Sequence, residues 1–414
     1  MYYLKLIGQF YHDIRRQKLR TFLTVFGICW GTIAVVLLLA FGVGLEAHAT
    51  KAMHGMGEDI CIDWPGKTTK AYRGMSTGRQ IRVYEEDMEY LRQRIPELDL
   101  ISAEYHTYGN RMSYRDKSRS VSVSGAQQAF GELRNFIPEP GGRFINKLDE
   151  EQSRRVIFMG NEIRDKLFGT GSNPVGKTVL LDGTPFRVIG VLKDKIQNSS
   201  YEGSDKWLSL IPSTTFRTMF GQRHITNMVY RAKDPTLTAG VIKAVSRELG
   251  RKYRFDPEDK GVLDPWDTSE GARFVKYFFM AFNAFLGVAG FFTLLVGGIG
   301  VANIMYVVVR ERRREVGIKM ALGARQSTIL LQFMVETFMI ISLGGAIGFA
   351  VSASIVQLFH LPVLESCTKY IGAPTINPLV ALGTILVLGA VGFAAGYAPA
   401  RRAARIDPVK ALEV

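Results

Sequence analysis

The segment Gly171 to Thr178, GSNPVGKT, satisfies the G-x-x-x-x-G-K-[ST] pattern of a phosphate-binding loop. That chemistry needs a strand before the loop and a helix after it, so that backbone amides and a helix N-terminus converge on the phosphates. Here the preceding NEIRDKLFG reads as a helix, and the following KTVLLDGTPFRVIGV reads as a strand pair turning at Asp182-Gly183. The spacing therefore predicts a turn without nucleotide. The six histidines (His12, His48, His54, His106, His224 and His360) are scattered over different segments, and no H-E-x-x-H, C-x-x-C or G-x-S-x-G unit occurs. No catalytic residue, metal ligand or directly bound cofactor is expected, and the chain reads as a non-enzyme.

A second stretch has a different kind of chemistry. In RERRREVGIKMALGA, Arg310 to Ala324, the residues Arg312, Glu315 and Lys319 share one helical face. Val316 and Met320 lie on a neighbouring face, and Gly323 is placed to end the helix. Such a helix can dock into a groove on a soluble partner, or it can lie on anionic lipid as a basic anchor. The residues alone leave both uses open.

The elements that must hold this helix are apolar runs. Phe22 to Leu45 contains no charged residue, would rise ~36 Å as a helix, and exceeds the ~20 residues that cross a bilayer. Three further runs are 277–309, 329–360 and 376–398, the first of them long enough to include a stalk. A mean hydropathy of only +0.06 conceals them, because a long polar block separates the first run from the rest. Basic residues sort the ends: 1–21, 310–328 and 399–414 together hold 15 basic and 5 acidic residues. Four spans place all three segments on one side, which the positive-inside rule makes the cytoplasm. Both termini are expected there, in a bacterial inner membrane, with 46–276 outside and 361–375 as a short outer loop. The net charge of +14 is thus largely topological, and the rest of the chain, with 37 basic and 33 acidic residues, excludes a nucleic-acid partner.

The block 46–276 mixes strand and helix patterns, so the fold class is an α-helical membrane protein with four transmembrane helices plus a large α+β extracytoplasmic (periplasmic) domain between the first two, possessing one lobe or two. YEEDMEYLRQRIPELDLIS reads as a helix ending near Pro96 and then a strand. RMSYRDKSRSVSVSGAQ reads as a hairpin turning near Arg115 to Lys117, and LTAGVIKAVSRELGRKY as an amphipathic helix. Cys61 and Cys367 both fall on the outer side, either as a disulfide or as two free thiols. Small residues four apart recur at Gly27 and Gly31, Gly344 and Gly348, and Gly392 and Gly396, and Gly297, Gly298 and Gly300 crowd span two. They serve packing within the chain, or a dimer seam in spans one and two. Glu336 is a carboxylate inside an apolar run, expected to snorkel or to pair with a nearby arginine.

The stretch NIMYVVVRERRREVGIKMALGARQSTILLQFMVE, Asn303 to Glu336, resembles the connecting signature of the MacB/FtsX-type ABC transporter permeases. PARRAARIDPVKALEV is similar to that family's closing motif, RTFLTVFGICWG to its opening, and NPVGKTVLLDGTPFRVIGVL to its periplasmic domain. Lys319-Met320 stands where Arg-Lys is more usual, and Trp30 is bulky for span one. The resemblance implies a mechanotransmission permease that moves its periplasmic domain as an ABC ATPase hydrolyses ATP with Mg. It also implies that Arg312, Arg313, Glu315, Val316, Gly317, Ile318, Lys319, Met320, Leu322 and Gly323 dock that ATPase. It further implies a homodimer whose seam includes Gly27, Gly31, Gly297 and Gly300, and partners in a periplasmic adaptor (membrane fusion) protein and an outer-membrane duct. The ATPase is expected on a separate polypeptide. Export of a drug, peptide or lipid-like molecule is the leading expectation; activation of a periplasmic cell-wall hydrolase without transport is the other.

Overall fold

The computed structural model describes residues 18–361, 363, 368, 372–407 and 411. The chain divides into two units, one formed by Thr50–Val275 and the other by the residues before and after it. Helix α1, Lys18–His54, opens the described chain and is apolar enough over Thr21–His54 to cross a membrane.

Within 50–275 the elements follow in the order β1 (Ile60–Asp63), α2 (Glu86–Arg94), β2 (Leu98–Tyr114), β3 (Lys117–Ala126), α3 (Gln128–Leu133), α4 (Lys147–Glu151), β4 (Val156–Met159) and α5 (Asn161–Phe168). Then come β5 (Thr178–Leu181), β6 (Thr184–Val191), β7 (Leu208–Pro212), α6 (Ser213–Phe220), β8 (Asn227–Ala232), α7 (Thr238–Tyr253) and β9 (Trp266–Asp267). The predicted turns are present. Asp182 and Gly183 both have positive φ, 47° and 83°, which is the two-residue turn that matches strand twist. Arg115 at φ 52° turns β2 into β3, where Tyr114 faces Lys117. Helix α7 buries Val241, Val245 and Leu249, one residue per turn, against the sheet core.

The sheet has nine strands among the described residues, in the order β3-β7-β4-β6-β5-β2-β8-β1-β9, with β2 also pairing β3. That extra pairing closes six strands into a ring. Strand β2 makes this possible because its free edge serves two neighbours, β8 along Leu98–Glu104 and β5 at Met112 and Ser113. A bulge between Thr107 and Asn110, with Gly109 at φ 76°, bends the strand between those two partners. The single sheet carries two apolar cores, one around Tyr105, Phe216 and Leu91, the other around Phe130, Phe136 and Phe158.

The remaining helices are α8 (Thr268–Glu311), α9 (Arg313–Ala321), α10 (Gln326–Leu358) and α11 (Pro378–Ala404). Together with α1, α8, α10 and α11 make four helices among the described residues long and apolar enough to span a bilayer. Glycines set their contacts. A Cβ on Gly344 or Gly348 would meet the backbone of α1, at Val25 and Cys29. Gly392 and Gly396 face Phe338, Ile341 and Thr337 of α10. Gly31 lies against Leu294 of α8, and Gly297 against Ile28 of α1, whereas nothing lies within 4 Å of a Cβ on Gly27 or Gly300. Near the far end of this pair Asn283 donates to Glu46 at 2.8 Å, a contact that Gly42 permits by having no side chain. Cys61 is a buried thiol in β1, whose pKa burial raises; Cys367 lies outside the described residues.

Asp63 ends β1 with one carboxylate oxygen accepting from Tyr230 at 2.8 Å and the other buried without a partner. Burial, reinforced by Asp264 and opposed by the tyrosine bond, pushes its pKa up to about 7, and burial does the same for Glu150 and Glu202. The folded domain therefore holds protons that the unfolded chain has lost, and stability falls as pH rises through this range. His106, pushed down to about 4 by burial, acts with the opposite sign, but below pH ~6.5. The melting temperature of the 50–275 domain in the detergent-solubilised chain should thus drop between pH 6.5 and 8, and Asp63→Asn should flatten that drop.

Candidate functional site

Helix α8 ends at Glu311, and Arg312 forms the joint to α9 with φ −97° and ψ 15°. Hydrogen bonds nevertheless run on through it, from the Arg312 amide to Val308 and from the Val316 amide to Arg312, each 3.0 Å. At the other end Gly323 adopts φ 92°. Its amide bonds to Met320 and that of Ala324 to Lys319, both at 3.0 Å, so the last carbonyls are satisfied by a Schellman closure that glycine makes inexpensive. The turn leads straight into α10.

Five side chains then form a closed polar ring between α9 and the base of α10. Arg312 Nη1 donates to both oxygens of Glu336 at 3.1 Å, and Gln332 Nε2 donates to the same carboxylate at 3.2 Å. Lys319 Nζ reaches Gln332 at 3.4 Å and Glu315 at 2.8 Å, and Glu315 returns to Arg312 Nε at 3.8 Å. Glu336 is only 13% exposed. An ionised carboxylate in such a place needs a fixed counter-charge, and the Arg312 guanidinium supplies one through Nη1. The expected pairing of Glu336 with an arginine is therefore met by Arg312.

The ring clamps one face of α9 and leaves another open. Val316 and Gly317 are buried, with Val316 in a cluster that includes Met305, Val309, Ile329, Phe333 and Ala400. Met320 packs partly buried against that cluster. Val316 and Gly317 thus depart from the set expected to meet a partner, because their side of the helix is spent on holding α9 to its own unit. Facing out are Arg313, Arg314, Ile318, Ala321, Leu322 and Gly323, with Leu322 84% exposed. Arg314 and Ala321, not in the expected set, are also exposed there, and Arg314, Ile318, Ala321 and Leu322 follow helical spacing.

The phosphate-loop look-alike is a helix-to-hairpin connection. The Gly176 amide bonds to Val188 at 2.8 Å and the Lys177 amide to Pro174 at 3.0 Å, so these donors are used within the loop and hairpin. The Lys177 ammonium lies over the rings of Phe168 and Tyr114, at 5.4 and 6.0 Å.

Comparison with known proteins adds the family. The profile of the MacB-like periplasmic core domain matches residues 21–248, and that of the FtsX-like permease C-terminal region matches 287–408. The chain belongs to the MacB/FtsX-type ABC transporter permeases. Its α+β unit is accordingly a periplasmic core domain, inserted between the first and second of the permease's transmembrane helices. The pyoverdine export ATP-binding/permease protein PvdT of Pseudomonas putida is 31% identical over 408 residues, covering 96% of this chain and 57% of that protein. The macrolide export ATP-binding/permease protein MacB of Hahella chejuensis is 29% identical over 399 residues, covering 96% and 58%. The chain thus spans less than two thirds of the length of these relatives. Among solved structures, the periplasmic region of MacB from Actinobacillus actinomycetemcomitans has a TM-score of 0.43 at 17% identity, covering 54% of this chain and 95% of that one.

Removing one partner from the permease's polar ring should expose what it costs. Glu336→Ala leaves Arg312 facing a half-empty ring and is expected to destabilise the helical unit by about 3–5 kcal/mol, while Arg312→Met with Glu336→Leu recovers most of the loss. Thermal melts of the three proteins in one detergent test this. Lys177→Ala, in contrast, should leave ATP-dependent activity in membranes unchanged.

Proposed function

We propose that this chain is the membrane subunit of an export system, converting ATP hydrolysis by an ABC ATPase into movement of its periplasmic domain. The observation that carries the reading is the division of α9. One face is locked to the helical unit by the ring and by Val316, and the other offers Ile318 and Leu322, with Arg313 and Arg314 also exposed. A helix fixed in this way passes on a push from a partner instead of bending under it. Its exposed leucine and isoleucine suit an apolar groove, and the flanking arginines suit its acidic rim.

The basic segments support a reading in which α9 and both termini lie in the cytoplasm of a bacterial inner-membrane protein. A second copy fits against the outer faces of α1 and α8. There Gly27 and Gly300 leave open space, and Phe22, Phe26 and Trp30 form an exposed stack at successive helical turns. The names of the relatives, which cite macrolide and pyoverdine export, support export of a drug or peptide cargo, while a lipid-like cargo, a periplasmic adaptor and an outer-membrane duct enter the proposal from the family resemblance alone. The protein supplies no reacting group of its own; ATP and Mg stay with the ATPase.

Changing Ile318 and Leu322 to aspartate, or Arg313 to glutamate, should abolish co-purification of the ATPase from native membranes without moving the melting temperature. Undiminished co-purification would overturn the docking assignment.

A further inference from the structure

The C-terminal end of α1 is received by a buried ion cluster that no part of the docking site uses. Arg134, at the end of α3, is only 2% exposed yet carries a full charge; its Nη1 donates to the Met56 carbonyl at 2.7 Å and its Nη2 to Asp205 Oδ1 at 2.8 Å. Lys195 holds the other oxygen of Asp205 at 2.7 Å and donates to the carbonyls of Arg134 and Asn135, at 2.9 and 3.2 Å. Asn135 in turn donates to the His54 carbonyl at 2.7 Å. The Arg134 guanidinium is stacked over Tyr201 at 4.6 Å, and Tyr201 donates to the buried Glu104 of β2 at 2.6 Å. The segment after β6 closes the site from outside, since the Asn198 amide reaches the Ala52 carbonyl at 3.4 Å and a Cβ on Gly55 would collide with the Ile196 carbonyl.

Helix ends expose carbonyls that water or a simple glycine cap usually satisfies. Here the Gly57 amide reaches the His54 carbonyl, and the adjacent side chains of Asn135 and Arg134 take the carbonyls of His54 and Met56 as well, held in place by the charges of Asp205 and Lys195. A capping interaction alone needs no buried cation. Arg134, Asp205, Lys195 and Glu104 are anchored after α3, before β7, after β6 and within β2, so any displacement of the α1 terminus bears at once on four places around the sheet.

We infer that Arg134, with Asp205 and Lys195, is a positioning joint: it makes the end of α1 and the periplasmic sheet move as one piece. This rests on the reading that ATP hydrolysis is transmitted to the periplasmic domain. It goes beyond that reading by naming the residues through which the helix grips the sheet. Loss of the joint should free the helix end while leaving the ATPase bound and the domain folded.

The test uses the full chain in nanodiscs with its co-purified ATPase, and spin labels on non-natural side chains at the exposed positions Lys51 and Lys117. In the unaltered protein the Lys51–Lys117 distance should be narrow and unchanged by ATP, whereas the distance between the Lys117 positions of two copies should shift with ATP. Arg134→Met, Lys195→Met and Asp205→Leu together replace the ions by apolar groups of similar bulk, a change that buried ion clusters tolerate. This variant should melt at the same temperature and keep its ATPase, yet show a broadened Lys51–Lys117 distance and lose the ATP-dependent shift. If it fails to fold, Asn135→Gly, which suits the left-handed φ of 51° there, removes only the bond to His54 and should broaden the first distance partway. A narrow Lys51–Lys117 distance in either folded variant would overturn the joint. Absence of any ATP-dependent shift in the unaltered protein would instead overturn the transmission reading, with the Lys51–Lys117 broadening still deciding the joint.

Discussion

A charge removed from water must find a fixed partner or not be there, and this chain accepts that constraint at the C-terminal ends of two of its longest helices. At the end of α8, Arg312 and Glu336 pair within a ring that Gln332, Lys319 and Glu315 complete. At the end of α1, Arg134 and Asp205 pair within a cluster that Lys195 and Tyr201 complete. Replacing such pairs with hydrocarbon would stabilise about as well. What hydrocarbon could not do is specify direction, because a planar guanidinium donating along fixed directions to more than one acceptor atom constrains both the distance and the angle of what it holds. Rigid geometry at a helix end is what the proposed transmission of motion requires.

Between those ends the helices are held by shape. Lipid gives apolar side chains no reason to prefer each other, so contact depends on how closely backbones approach. Gly344 and Gly348 let α1 and α10 meet almost backbone to backbone, and Gly392 and Gly396 let the side chains of Phe338, Ile341 and Thr337 of α10 settle onto the backbone of α11. The hydroxyls of Thr32, Thr337, Ser352 and Thr384 donate to carbonyls of their own helices, so these four need no partner on a neighbouring helix. In the periplasmic domain the corresponding device is the bulge at Thr107 to Asn110, which lets one long strand close a six-stranded ring and still feed a second set of strands.

Much of this was legible beforehand. Four apolar runs, the Asp182-Gly183 hairpin, the helix ending at Gly323 and the pairing of Glu336 all follow from local rules of period, turn chemistry and desolvation. The elements flanking the phosphate-loop pattern, a helix before it and a hairpin after it, were legible as well. Ring closure was not legible, because it joins β3 to β7 and β5 to β2 across long separations and leaves no periodic trace. Nor was the role of Val316. An apolar stripe on a short helix looks the same whether it faces a partner or its own protein, and only the presence of Phe333 and Met305 beside it decides.

From the residues alone came the number of spans, the site of the inserted domain and the family, because bilayer thickness, basic flanks and a long connecting motif act through contiguous sequence. Only the folded chain decided which face of α9 is open, which glycines touch a neighbouring helix, and where Arg134 goes. Those depend on atoms brought together from distant segments, whose meeting is governed by packing and desolvation in three dimensions and not by any spacing along the chain.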